Sequence, residues 1–318
     1  MVNMENKHKV LITTNTDIIN MITYLNDSDV KNNLSIRECA TEIRDAFISC
    51  GKDESFSSPR DRIYGNDFVF STMPALYGKR GIAGLKTYMA GKNGYRFFVL
   101  IFETEHPEKL FAIDANVLGQ IRTGAIAAIV TSEIVKKRSI NYTIIGSGFQ
   151  AESQFEAISQ FYNIDNAYVY SRNFDHARKF AGKFGNSITP VKNLECLSES
   201  DVISSATDAV KPIFNYSMLG SNYHINLIGS NVLGSREADM DVMENSDTVL
   251  EENSEQSGME SSEIAEIQNR HNVVKLSQFL MHPDKYPGHK TVFKCLGIGL
   301  EDLAAGYILL RNMNLLKF

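Results

Sequence analysis

Residues 142–151 read Tyr142-Thr143-Ile144-Ile145-Gly146-Ser147-Gly148-Phe149-Gln150-Ala151. A short apolar strand pattern opens into Gly-x-Gly-x-x-Ala, and a helical pattern starts at once. Few arrangements accommodate that succession. Gly146 permits the tight turn, Gly148 lets backbone approach a pyrophosphate, and the small Ala151 lets helix and strand pack closely. The helix N-terminus then presents N–H groups and a partial positive charge. A strand–helix turn with no ligand has the same residues. The strand–turn–helix context favours dinucleotide binding, with Gly146 and Gly148 as contacts.

The surrounding chain supports a parallel sheet. Strand patterns at Tyr142–Ile145, Ala167–Tyr170, Asp201–Ala206, His224–Ile228 and Thr248–Leu250 alternate with helical ones, as in sheets covered by helices. NAD-binding versions place an acid at the end of the second strand for the ribose hydroxyls. Here that end reads Tyr170-Ser171-Arg172-Asn173. A hydroxyl beside a guanidinium suits a 2′-phosphate, so NADP(H) is preferred over NAD(H). The alternative is a solvated arginine at a strand end. The acids between 236 and 263 (Glu237, Asp239, Asp241, Glu251, Glu252, Glu255 and Glu260) are expected to form a solvated face.

The N-terminal half has a different rhythm. Residues 1–19 are a polar extension with no assigned function, and Met21–Leu25 reads as a strand. Ser35 and Glu38 form a capping box for a helix carrying Ile36, Cys39, Ala40, Ile43 and Phe47. Strands at Asp67–Met73, Ile82–Met89 and Tyr95–Glu103 predict an antiparallel sheet. Its cations stand in unusual places. Arg60 and Arg62 are two apart, so on an extended strand they point the same way. Lys86 lies in the otherwise apolar Ala-Gly-Leu-Lys-Thr-Tyr-Met and needs a partner, of which a substrate carboxylate is one. Arg122 is expected at the start of a helix, where the dipole disfavours a cation; a bound anion would explain it. For each cation the bland alternative is a solvated surface charge.

Composition closes off other classes. The 318 residues carry a net charge of −6, which disfavours nucleic acid or an anionic membrane as partner. The sequence has no apolar run long enough to span a membrane and no signal-peptide pattern at its start. Four scattered cysteines and seven scattered histidines form no metal-ligand spacing and suggest a reducing cytoplasm.

Five separated motifs resemble the ornithine cyclodeaminase/mu-crystallin family. They are Ser58-Pro59-Arg60, Gly84-Leu85-Lys86, Asp114 to Ala125 with Ile144 to Ala151, Ile228-Gly229-Ser230-Asn231, and Leu296-Gly297-Ile298-Gly299-Leu300-Glu301-Asp302. The resemblance covers roughly residues 20–316. It implies an α/β protein: a Rossmann-type doubly wound parallel sheet (residues 123–289) inserted into an α+β antiparallel-sheet domain (1–122 plus 290–318) for substrate binding and homodimerisation. It also implies hydride transfer between a nicotinamide and the α-carbon of an amino or imino acid. The family's carboxylate site maps onto Arg60, Lys86 and Arg122, with Arg62 beside it and Leu296 near the substrate. Its cofactor contacts map onto Thr123, Gly146, Gly148, Phe149, Gln150, Ser171, Arg172, Asn173, Thr207 and Cys295.

One departure bears on the reaction. Cyclodeaminases carry an aspartate where this chain has Asn231, and an amide cannot take a proton at neutral pH. The resemblance therefore implies an imine reductase or amino-acid dehydrogenase, with Asn231 hydrogen-bonding near the imine nitrogen. Lys86 is the first candidate for a general acid, its pKa lowered by Arg60 and Arg122; Glu237 and Asp302 are weaker ones, and solvent is a further proton source. Ornithine cyclodeamination and nucleotide-dependent small-ligand binding are the other readings.

Overall fold

The computed structural model describes residues 22–270 and 272–316. The extension at 1–19 and Met21 of the first expected strand lie outside the described residues. The chain divides into two compact units, one of residues up to Arg122 and from Ile298 onward, the other Thr123–Gly297.

The first unit begins with β1 (Ile22–Leu25), α1 (Asp27–Asn33) and α2 (Ile36–Gly51). Ser35 caps α2, its side chain accepting from Glu38 N. Then come β2 (Ser55–Ser57), β3 (Asp61–Tyr64), β4 (Phe68–Tyr77), β5 (Ile82–Gly91), β6 (Gly94–Glu103) and β7 (Leu110–Asp114). The sheet runs β1-β7-β6-β5-β4-β2, with β3 also on β4. All pairings are antiparallel except β1 with β7. Period-two alternation sends Met73, Tyr77, Ile82, Val99, Ile101 and Ile113 into the core.

Helix α3 (Ala115–Ile134) follows β7 without a break, and the boundary between units falls between its residues 122 and 123. Arg122 is therefore about two turns into the helix, which corrects the expectation that it begins one. Asn116, Gly119 and Gln120 look like a turn, but they belong to a helix buried on several sides, with Leu118, Ala125, Ile126 and Val130 fully enclosed.

The second unit contains β8 (Ser139–Ile145), α4 (Phe149–Phe161), β9 (Asn163–Tyr170), α5 (Phe174–Lys183), β10 (Thr189–Val191), β11 (Val202–Ser205), β12 (Tyr223–Leu227), α6 (Met240–Glu244), β13 (Thr248–Glu251), α7 (Ser254–Glu260), α8 (Ser262–Ala265), β14 (Val273–Lys275), α9 (Leu276–Met281) and β15 (Lys290–Lys294). Its sheet is wholly parallel, in the order β10-β9-β8-β11-β12-β15-β13-β14. The chain therefore reverses its direction of growth beside β8, the place where doubly wound sheets bind ligands.

Strand β15 corrects the expected boundary at residue 290. Thr291-Val292-Phe293 is an apolar run of the kind buried on both faces of a parallel sheet, and it pairs with β12 and β13. The chain rejoins the first unit only at Ile298, where α10 (Gly299–Asn312) begins and packs on β4, β5 and α2. Among the described residues no helix is long and apolar enough to cross a membrane.

Candidate active site

In the first unit, helix α10 brings two acids to the cations. A Cβ at Gly299 would run into the Met73 carbonyl, so the helix start lies directly on β4. Met73 pairs with Lys86 across the β4–β5 ladder. Glu301 and Asp302, in the first turn of α10 where its dipole favours carboxylates, thereby reach Lys86 and Arg122. Lys86 Nζ donates to Asp302 Oδ1 at 3.0 Å, Arg122 Nη1 to Glu301 Oε2 at 2.8 Å, and Arg122 Nε lies 3.4 Å from Asp302 Oδ1. Arg60 Nε sits 3.4 Å from Met73 Sδ. Arg60, Lys86 and Arg122 keep only 9, 6 and 7% of their surface exposed.

Buried charges persist when paired. Here Lys86 and Arg122 pair with Asp302 and Glu301, and Arg60 lies close enough to Lys86 to act on its charge. The partner expected for Lys86 lies inside the chain: it is Asp302. Burial is the main force pushing the Lys86 ammonium below its usual range. Asp302 opposes it, while Arg122 and Arg60 reinforce it. Arg62 stands half-buried on β3 opposite Ser71, which itself pairs with Tyr88. This puts it on the same sheet face as Lys86.

In the second unit, Gly146 has φ +109°, and a Cβ there would strike the Ala206 carbonyl. Gly148 is the N-cap of α4 and offers no side-chain cap to the first turn, while the space a Cβ at Gly148 would enter is open. Such a cradle fits a pyrophosphate, with the α4 N-terminus, Gly146 and Gly148 to hold it. Phe149 is exposed and Gln150 half-buried beside it. Ser147 Oγ donates to Ser171 Oγ at 3.1 Å. Arg172 is exposed with no ion pair among the described residues, and Asn173 caps α5 by accepting from Asp175 N. Thr123 is buried, its carbonyl accepting from Gln154 Nε2. These groups fit a dinucleotide, and Arg172 and Ser171 fit an additional phosphate.

Beyond β11 and β12 the loops are tied by ions. Thr207 N and Oγ1 both donate to Glu237 Oε1 at 2.8 Å. Asn231 is exposed in the loop after β12. Cys295 N donates to Leu227 O, and Leu296 N and Gly297 N donate to Glu252 Oε2. Both side chains, Cys295 and Leu296, are buried. The acids expected on a solvated face prove largely internal: Glu237, Glu251, Glu252, Glu260 and Glu263 are all buried. Glu237, Glu252 and Glu263 accept from backbone N–H groups, Glu263 also lies 3.7 Å from Lys294 Nζ, and Glu251 and Glu260 accept from Ser254 Oγ and Gln256 Nε2. Glu237 accepts four hydrogen bonds, so a role as proton donor is set aside. Burial raises its proton affinity, against Lys294 and those donors.

Sequence reasoning missed Glu301, Glu263 and Lys294 as site-building residues. Glu301-Asp302 at the start of a helical pattern was the available signal for the first. A lysine closing an apolar strand was the signal for Lys294.

Together, these features define a two-unit α/β protein with a dinucleotide-type turn in one unit and a buried cation cluster in the other. The chain belongs to the ornithine cyclodeaminase/mu-crystallin family, which it matches over residues 20–314. It is 28% identical over 211 residues to the ketimine reductase mu-crystallin of Macropus fuliginosus, a match covering 65% of this chain and 66%, just under two thirds, of that relative. A probable ornithine cyclodeaminase from Bordetella pertussis Tohama I superposes with TM-score 0.85 at 20% identity, covering 92% of this chain and 97% of that one. The Thermococcus litoralis Delta(1)-pyrroline-2-carboxylate reductase, solved with NADH and L-proline, superposes with TM-score 0.82 at 21% identity over 92% and 97%. At those identities the two structures establish the shared fold.

Proposed function

We propose that this chain is an NAD(P)H-dependent reductase of α-imino acids, yielding an L-amino acid or its N-substituted form, and able to run the reverse dehydrogenation. The observation that carries the reading is the gathering of three buried cations, Arg60, Lys86 and Arg122, in the first unit, a donor set suited to a substrate carboxylate. Arg60, Lys86 and Arg122 bind that carboxylate, with Arg62 beside them, while Glu301 and Asp302 hold the cations in place. A bound nicotinamide supplies the hydride at the α-carbon. Lys86 gives a proton to the imine nitrogen and regains one from water, so carbon and nitrogen each gain one hydrogen. Asn231 hydrogen-bonds the nitrogen without taking its proton. Ser171 and Arg172 favour NADPH over NADH. The names of the relatives, ketimine reductase and Delta(1)-pyrroline-2-carboxylate reductase, favour the imine class.

The expected homodimer has support in the antiparallel sheet. Its face opposite Met73 and Lys86 carries Ile22, Phe56, Ile63, Phe70, Met89 and Phe102. Of these, Ile63, Met89 and Phe56 are 61, 55 and 53% exposed. An apolar face of that extent fits a second copy of itself. The free cysteines fit a cytoplasmic protein, and nothing in the charge favours nucleic acid.

NADPH oxidation with a panel of cyclic and linear imino acids tests the reading. Turnover is expected, falling by about a hundredfold or more in Lys86→Ala. Ammonia release from ornithine would favour cyclodeamination, which Asn231 argues against. Tight nucleotide binding with no turnover across the panel would favour a small-ligand binding protein.

A further inference from the structure

The loops after β11 and β12 are held by Glu237 and Lys294, both fully buried. Glu237 Oε1 accepts from Ser205 Oγ at 2.6 Å and from Thr207 N and Oγ1 at 2.8 Å. Its Oε2 accepts from Gly229 N at 2.7 Å. One carboxylate thus joins the end of β11 to the end of β12. Lys294, at the end of β15, completes the arrangement: its Nζ donates to Gly229 O at 2.8 Å and Ser230 O at 3.0 Å and lies 3.7 Å from Glu263 Oε2. Glu263 Oε1 in turn accepts from Glu237 N at 3.1 Å. Both loops are tightly constrained. A Cβ at Gly229 would collide with the Thr207 backbone, and Ser230 holds φ +50°, costly for a serine.

In a doubly wound sheet the dinucleotide straddles the strand-order reversal. Its adenosine half lies toward the second strand, here β9 with Ser171 and Arg172, and its other half over the strands beyond the reversal, here β11 and β12. The two stapled loops therefore stand on the nicotinamide side, and they carry Thr207 and Asn231. We propose that Glu237, supported by Lys294, is the positioning residue of the nicotinamide half-site, fixing the loops that bear Thr207 and Asn231. It acts through those loops and does not itself react. The inference rests on the reading of this unit as a nicotinamide site.

The test compares two ligands on the whole protein: NADPH and 2′-phospho-ADP-ribose, which lacks the nicotinamide. In Glu237→Gln an amide NH2 must face either Gly229 N or the Thr207 and Ser205 donors, so one loop is released. NADPH should bind at least about tenfold more weakly and 2′-phospho-ADP-ribose unchanged within about twofold, with kcat for imine reduction also falling. Ser205→Ala removes a single donor and leaves the carboxylate in place. It should show the same split at a few-fold size, and it keeps the test decisive should Glu237→Gln fail to fold. Equal weakening of both ligands, or no weakening of NADPH in either variant, would overturn the proposal. Failure of the unaltered protein to bind either ligand would instead overturn the cofactor reading beneath it.

Discussion

At the scale of residues, the site is an exercise in charge compensation. Lys86 occupies an apolar strand because Asp302 meets it at 3.0 Å, and Arg122 sits in a buried helix because Glu301 does the same at 2.8 Å. The sign of each influence on Lys86 gives a pH prediction. Burial, Arg122 and Arg60 push its pKa down, and Asp302 pushes it up. If the protonated ammonium is the acid in imine reduction, activity should fall on the alkaline side at a pH below the ordinary lysine value. Asp302→Asn removes the charge and hydrogen bond that oppose that shift, so the alkaline limb of kcat should move to still lower pH. A profile whose alkaline limb stays in place, in a variant that melts like the parent, would remove Lys86 as the proton source.

At the scale of elements, the proposed function divides the work of holding a cofactor between the glycine turn and the end of β9. On the proposed reading Gly146 and the start of α4 would serve any dinucleotide, and Ser171 and Arg172 a ribose phosphate. Arg172→Ala should raise KM for NADPH by about tenfold or more while leaving KM for NADH within about twofold. A parallel loss with both cofactors would show that Arg172 does not read the phosphate. Much of this was legible in the sequence. The strand–turn–helix run marks its own geometry, and apolar alternation marks β4, β5 and β6. What escaped detection was set by tertiary contacts. Arg122 seemed to start a helix because the polar residues before it resemble a turn, yet they are helical in a buried setting. Strand β15 was expected with the C-terminal segment although Thr291-Val292-Phe293 has the apolar character of a parallel strand; its pairing with β12 and β13 is a tertiary contact. The acids near Glu237 looked solvated because charge runs usually are. Their partners, the N–H groups of distant loops and Lys294, become neighbours only when the sheet assembles.

At the scale of the whole molecule, the unit with the antiparallel sheet has two different faces. One holds the cation cluster and packs on α10; the other presents Phe56, Ile63, Phe70 and Met89 outward. If that outer face is where two copies meet, Met89→Arg places a charge in the contact, and sedimentation should shift from dimer toward monomer while the variant stays folded. An unaltered dimer would put the interface elsewhere. The central proposal is that the buried cluster of Arg60, Lys86 and Arg122 selects an imine bearing a carboxylate. The most direct measurement compares kcat/KM for NADPH-dependent reduction of Delta(1)-pyrroline-2-carboxylate with that for the same ring lacking its carboxylate. If these cations donate charge-assisted hydrogen bonds to the substrate carboxylate, a preference of about a hundredfold or more for the ring that carries it is expected. Equal turnover of the two rings, or turnover of neither by a protein that binds NADPH, would contradict the account.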